Sequence, residues 1–355
     1  MINFHKATGI FFLLLFSSLG CNNQTESDGK ESKIDEVQID TLHTFAEFET
    51  HNIAQPTDVK ILSNGMIAVA DYSQQIISLL DNEGDLITAF GQQGRGPGEF
   101  LNIRHIYGLD YGLGAFDSHQ NRLTYFDFEG ELLATHDLPS HALNRDFTLI
   151  NDSLYTINME GMNGYLFQLQ SLNSDFIFEF GKPNVSWEER GDLSDSYNQL
   201  ISGKVPEMQK NRTKLHSDGT HLYIFFEALS EVQKYDLEGN LIWHYKIDLP
   251  NNEEIFEGTV KSAKQNGSSN SVPVLDYATD FQKIGDEIFI LTRRVQAKNI
   301  NQLLVSVNET GNIQTIYHFP EEHEMCFDFD IHFETNTLFL TNCLSGDVKE
   351  AVLPN

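Results

Sequence analysis

The chain has 355 residues, 40% apolar and 11% aromatic, and a formal net charge of −29 from 52 acidic against 23 basic side chains. That excess of carboxylates repels polyphosphate and excludes nucleic acid as a partner, while leaving room for cations or basic partners. Phe alone contributes 26 residues and helix-favouring runs are scarce, so the composition leans towards pleated sheet.

The first 21 residues read as an export address. Lys6 and the α-amino group supply positive charge, residues 10–16 are apolar, and small residues lead to Cys21. So short a run cannot span a bilayer, which takes about 20 residues; it fits the core of a signal peptide. A cysteine that follows small residues and precedes the polar stretch 22–28 resembles a bacterial lipobox, although Ser18 stands where Leu is commonest. The resemblance implies a diacylated Cys21, stable anchoring through two acyl chains, and a flexible tether over 22–33. The alternative is an ordinary secretory signal with an incidental cysteine. Both readings export the protein, and the first anchors it to the outer membrane or cell envelope.

From residue 34 onwards one phrase recurs. In the first copy 56–62 leads in, Ser63-Asn64-Gly65 turns, 67–71 is apolar and ends in Asp71, 76–80 follows, and Asp81-Asn82-Glu83-Gly84 closes. The second copy runs through 105–109, 114–117 and 123–126 to Asp127-Phe128-Glu129-Gly130. A degenerate third uses 147–149, 154–158 and 167–169, and the fourth returns to form with 222–226, 232–235 and Asp236-Leu237-Glu238-Gly239. In the fifth, 288–291 and 303–307 precede Asn308-Glu309-Thr310-Gly311, and the sixth stops after 329–331 and 338–342. The closing Gly suits a tight turn with positive φ, and an apolar second strand suits burial on both faces. Four short strands per copy, arranged radially, predict an all-β, six-bladed propeller of four-stranded blades. The last copy lacks a fourth strand, and residues 37–42 are a spare one, so an N-terminal strand is expected to close the ring. Two stretches break the pattern and read as insertions: 184–213, with a helix-like run over 194–201, and the polar 251–273.

The most specific phrase is Gly91-Gln92-Gln93-Gly94-Arg95-Gly96-Pro97-Gly98-Glu99-Phe100. It lacks the Gly-Lys-Ser/Thr ending and following helix of a phosphate-binding loop. With the preceding 67–71 and Gly84 it closely resembles the linker of NHL repeats, most clearly over 56–138. The whole chain resembles the six-bladed propeller lipoproteins common in Bacteroidetes-type bacteria, which implies a fold and a location more than an activity.

Some propellers related to NHL repeats are lyases or lactonases with calcium or zinc in the central channel, held from the starts of the innermost strands. The matching positions here are Asp58, His105, Asp146, Asp280 and Asp328, with Arg104 and Arg145 adjacent. One histidine is too few for the lyases' zinc. Asp58, His105, Asp280 and Asp328 could instead hold calcium, which prefers oxygen ligands, or these carboxylates could merely cap strands and line a wet channel. The polar residues ending the second strands, such as Asp71 and Asp117, are expected to bond loop amides. No nucleophile elbow or zinc-protease motif appears. Cys326 and Cys343 flank a hairpin-like segment and, in an exported protein, are either a disulfide or two free thiols.

The leading expectation is a non-enzymatic binding module for a protein, peptide or glycan partner at the cell envelope. Trp187 and Phe256, in the two insertions, are candidates for an exposed docking patch. The alternative is a calcium-dependent lyase or lactonase-like hydrolase working at the channel mouth.

Overall fold

The computed structural model describes residues 33–138, 146–173, 176–293 and 301–354. Cys21, residues 22–32 of the expected tether over 22–33, and Arg145 lie outside the described residues.

Each copy of the repeat folds into an antiparallel sheet whose strands follow chain order from the axis outwards, and six such sheets make a six-bladed propeller. Blade 1 is Pro56–Ile61, Ile67–Asp71, Ile76–Leu80 and Leu86–Phe90. The innermost strands of blades 2 to 6 are Ile103–Leu109, Phe147–Leu149, Thr213–Ser217, Ala278–Ile284 and Asp328–His332. Burial follows the radius. Every residue of the second strands Ile67–Asp71 and Gly112–Asp117 is buried, whereas the outermost Leu86–Phe90 has no buried position. The spaces between blades hold the core: Ala68, Ala70 and Ile77 of blade 1 meet Ile106, Leu113 and Ala115 of blade 2. Phe116 of blade 2 then stacks on Phe147 of blade 3 at 4.5 Å.

The closing turns of the repeat do more than reverse the chain. Gly130 lies against the ring of Phe90, and Gly239 against Phe178 and Phe180, so the turn of one blade seats under aromatics of the preceding blade's outer strand. The polar ends of the second strands hold each blade's lead-in. Asp71 accepts from the amides of Gln55 and Gln74, and Asp117 from those of Leu101, His119 and Gln120. The Gly-rich phrase is a strap clasped by the buried Arg122, which donates to the carbonyls of Arg95, Gly96 and Glu99.

An N-terminal strand closes the ring, but not the one over 37–42. His43–Ala46 pairs antiparallel with Val348–Val352 and supplies the fourth strand of blade 6. Just upstream, Asp35–Gln38 runs parallel to Ile313–His318 and adds a fifth strand to blade 5. Residues 37–42 therefore cover the end of one strand and the crossing to the next. Ile39 and Leu42 look strand-like because they pack into the cluster between blades 5 and 6.

Both insertions carry helix. Leu193–Ile201 starts at a capping box between Asp192 and Asp195. Residues 251–273, read as merely polar, contain the 15-residue helix Asn252–Asn266, which buries only Ile255, Gly258 and Ala263. So narrow a stripe hardly marks the composition. The two helices pack on each other. Phe256 packs against the cluster of blades 4 and 5, and Trp187 is half-buried with the Arg190 guanidinium 3.4 Å over its ring, so neither forms an exposed patch. The sulfurs of Cys326 and Cys343 stand at bonding distance, 2.01 Å.

Candidate ligand channel

A cavity of about 1790 Å³ runs along the propeller axis, lined by residues of all six innermost strands. The pleat turns alternate residues of a strand to the same face. Residues two apart therefore face the axis together: Asp58 with Lys60, Asp280 with Gln282, and Asp328 with Asp330.

These side chains tie the blades together before they do anything else. Asp328 Oδ2 accepts from the Val59 amide at 3.1 Å and from the Thr341 hydroxyl at 3.0 Å. Asp330 Oδ2 accepts from the Ile61 amide at 2.9 Å, and Asp58 Oδ2 from the Ile106 amide at 2.7 Å. Three carboxylates thus stitch blade 6 to blade 1 and blade 1 to blade 2. The Gln282 side chain donates to the Phe329 carbonyl and joins blade 5 to blade 6.

Their electrostatics reflect crowding of like charge in a sheltered space. Burial pushes the Asp58 carboxyl up to about 6, against the pull of Lys60 and the Ile106 amide. Burial and the neighbouring Asp328 lift Asp280 to about 7, while burial and the like charge of Asp58 hold Asp328 well above the carboxylate range. Lys60 overcomes the cost of its own burial because Asp330, Asp58, Asp328 and Asp280 surround it, and it stays charged. The depth of the channel and the adjacent Arg104 push His105 down, so its imidazole is neutral at pH 7. At the blade 3–4 side Glu227 takes Arg212 at 2.8 Å and Lys214 at 3.5 Å.

Asp58, His105, Asp280 and Asp328 all line the one cavity, as their positions imply. No three of them bring ligand atoms within 4.8 Å of one another; among the described residues only Asp81, Glu83 and Asp85, in an outer turn, do so. The reason is local: Asp58 and Asp328 each spend one oxygen on backbone amides, and Lys60 occupies the cation's place. Lys60, Lys214 and Asp330 were missed in the sequence, although the period-two alternation of charged residues along each first strand was the signal for them.

Residues 21–270 match a family described as a 6-bladed beta-propeller. Among solved structures, a candidate exported protein from Bacteroides fragilis is similar with a TM-score of 0.55 at 11% identity, over 91% of this chain and 100% of that one. A streptogramin B lyase gives 0.51 at 10% identity, over 88% and 98%. A catalytically inactive virginiamycin B lyase from Staphylococcus aureus, solved with quinupristin, gives 0.50 at 9% identity, over 88% and 99%. At such identities the likeness is one of fold. No curated protein matches in sequence.

Proposed function

We propose that this chain, which belongs to the 6-bladed beta-propeller family DUF5128, is an exported, lipid-anchored module that binds a polar ligand in its central channel at the cell envelope. The observation that carries this reading is the channel itself, a single large cavity whose charged side chains converge from all six blades. The lipobox-like run ending at Cys21 and the fold shared with an exported candidate support the location. The test is a screen of small polar compounds by thermal unfolding, since a ligand bound only by the native state raises Tm. Hits should lose their effect in variants of the channel-facing charges and keep it in variants of the outer turns. A library without a single channel-dependent hit would sink the proposal.

Two further outcomes follow. In a bacterium that processes lipoproteins, the wild-type chain is expected in the membrane fraction and Cys21→Ser in the soluble fraction; equal partitioning of the two would remove the anchor. Without a ligand cage, EDTA or excess calcium is expected to leave Tm unchanged. A calcium-dependent rise that disappears in Asp280→Asn would restore the metal-dependent lyase or hydrolase reading.

A further inference from the structure

We infer that the channel wall formed by Asp280, Asp328 and Asp58, on the consecutive blades 5, 6 and 1, is a subsite for an ammonium group, so that the ligand is an organic amine. This deepens the channel-binding reading and rests on it.

The first observation is a local deficit of positive charge. Lys60 faces four carboxylates, those of Asp330, Asp58, Asp328 and Asp280, and Lys214 reaches only the last of them. Of the other cations lining the channel, Lys214 and Arg212 are both paired with Glu227, and Arg104 stands beside His105, which is itself 3.6 Å from Asp58 Oδ2. The second observation concerns donors. Asp58 is 1% exposed, and its Oδ1 has no N–H or hydroxyl against it. Lys60 Nζ stands 4.0 Å away, beyond hydrogen-bond reach. A buried carboxylate oxygen without a donor is costly, and here the shortage adjoins open cavity. Asp280 borders that cavity too, with its Oδ2 taken by Gln282 at 3.2 Å.

An ammonium group meets both shortages, with three N–H donors on a unit charge. A divalent metal does not, because it needs three or more ligand atoms drawn close, and this wall does not converge them within 4.8 Å. An anion would add to the repulsion already present. On arrival the amine's charge favours ionisation of the raised carboxyls of Asp58 and Asp280, so binding near neutral pH releases protons. Carboxylates on the outer surface, already ionised at that pH, release none when they attract the same amine.

The experiment is calorimetry of the full-length Cys21→Ser protein at pH 6.5 and 150 mM salt, in two buffers of different ionisation enthalpy. Putrescine is the probe, 1,4-butanediol its uncharged counterpart and glutarate the anionic one. Putrescine is expected to bind with proton release and butanediol not to bind. Asp280→Asn, which breaks no bond between blades, should weaken putrescine by about tenfold or more and cut the proton release. Asp81→Asn, in an outer turn, should change neither. Asp58→Asn, which keeps an acceptor for the Ile106 amide, should behave as Asp280→Asn does. Putrescine binding without proton release, or equally well to Asp280→Asn, would overturn the subsite. Glutarate binding in the channel with putrescine inert would also overturn it and leave the channel reading standing. If none of the three binds, the subsite is overturned, and the polar-compound screen decides the channel reading separately.

Discussion

Gly239→Ala is expected to destabilise the propeller by about 3 kcal/mol, measured by chemical denaturation. Two costs add. Gly239 sits at φ +83°, where any L-residue pays about 1 kcal/mol or more. In addition, a Cβ there would lie 2.7 Å from Phe178 and 2.8 Å from Phe180, so the aromatic edge of blade 3 must move. Gly65→Ala separates the two: Gly65 has nearly the same φ, +86°, with nothing within 4 Å of its would-be Cβ. It is expected to cost only the backbone share, about 1 kcal/mol. Equal losses at the two sites would mean that the seat between blades contributes nothing.

Lowering the pH from 8 to 5 is expected to add about 4 kcal/mol through the Asp58 and Asp280 carboxyls, opposite to the usual behaviour of carboxylates, while the buried imidazoles of His105 and His216, held below their ordinary range, pull the other way. Asp58 at about 6 and Asp280 at about 7 are raised in the folded state from the ordinary 3.8. Between those values these two carboxyls bind more protons in the folded chain than in the unfolded one, so the stability they contribute falls as pH rises through the window and is regained as pH drops. Below the window the sign reverses, because carboxyls held down by their partners, such as Asp218 at about 2, begin to lose those partners. Melting curves of the wild type and of Asp280→Asn across pH 5 to 8 test this. Relative to the wild type, the variant should lose most of the acid stabilisation that the two carboxyls supply, and identical pH dependence in the two proteins would refute the account.

The repeat was legible in the sequence because its physics is local. An Asp-x-x-Gly turn needs positive φ, and a strand buried on both faces must be apolar, so Gly84, Gly130 and Gly239 could be aligned without a structure. What the turns touch was not legible, since Phe90 and Gly130 meet only across blades. Closure was legible as a need but not as an address. Both N-terminal strands are four residues long, and the buried Ile39 and the apolar Leu42 between them imitate a third. The helix Asn252–Asn266 escaped notice because so few of its residues are buried. In the channel, Asp58, His105, Asp280 and Asp328 were found by position, but their partners were not. A carboxylate's role there depends on the amide that the neighbouring blade presents and on one lysine two residues along, and neither is written into a metal-ligand pattern.

The closing strand has a consequence for how the chain folds. His43 and Ala46 meet Glu350 and Val348, at opposite ends of the described chain. Contacts of such separation are the slowest to form, and the ordering of the whole intervening chain precedes them. Blade 6 therefore cannot be completed from either end alone, and the first strands to leave the ribosome wait for the last. Loss of the final strand, Val348–Val352, would strand His43–Ala46 with an unsatisfied edge and open the ring at one seam. Damage at the extreme C-terminus should thus spread to the N-terminus, while the middle blades keep their neighbours.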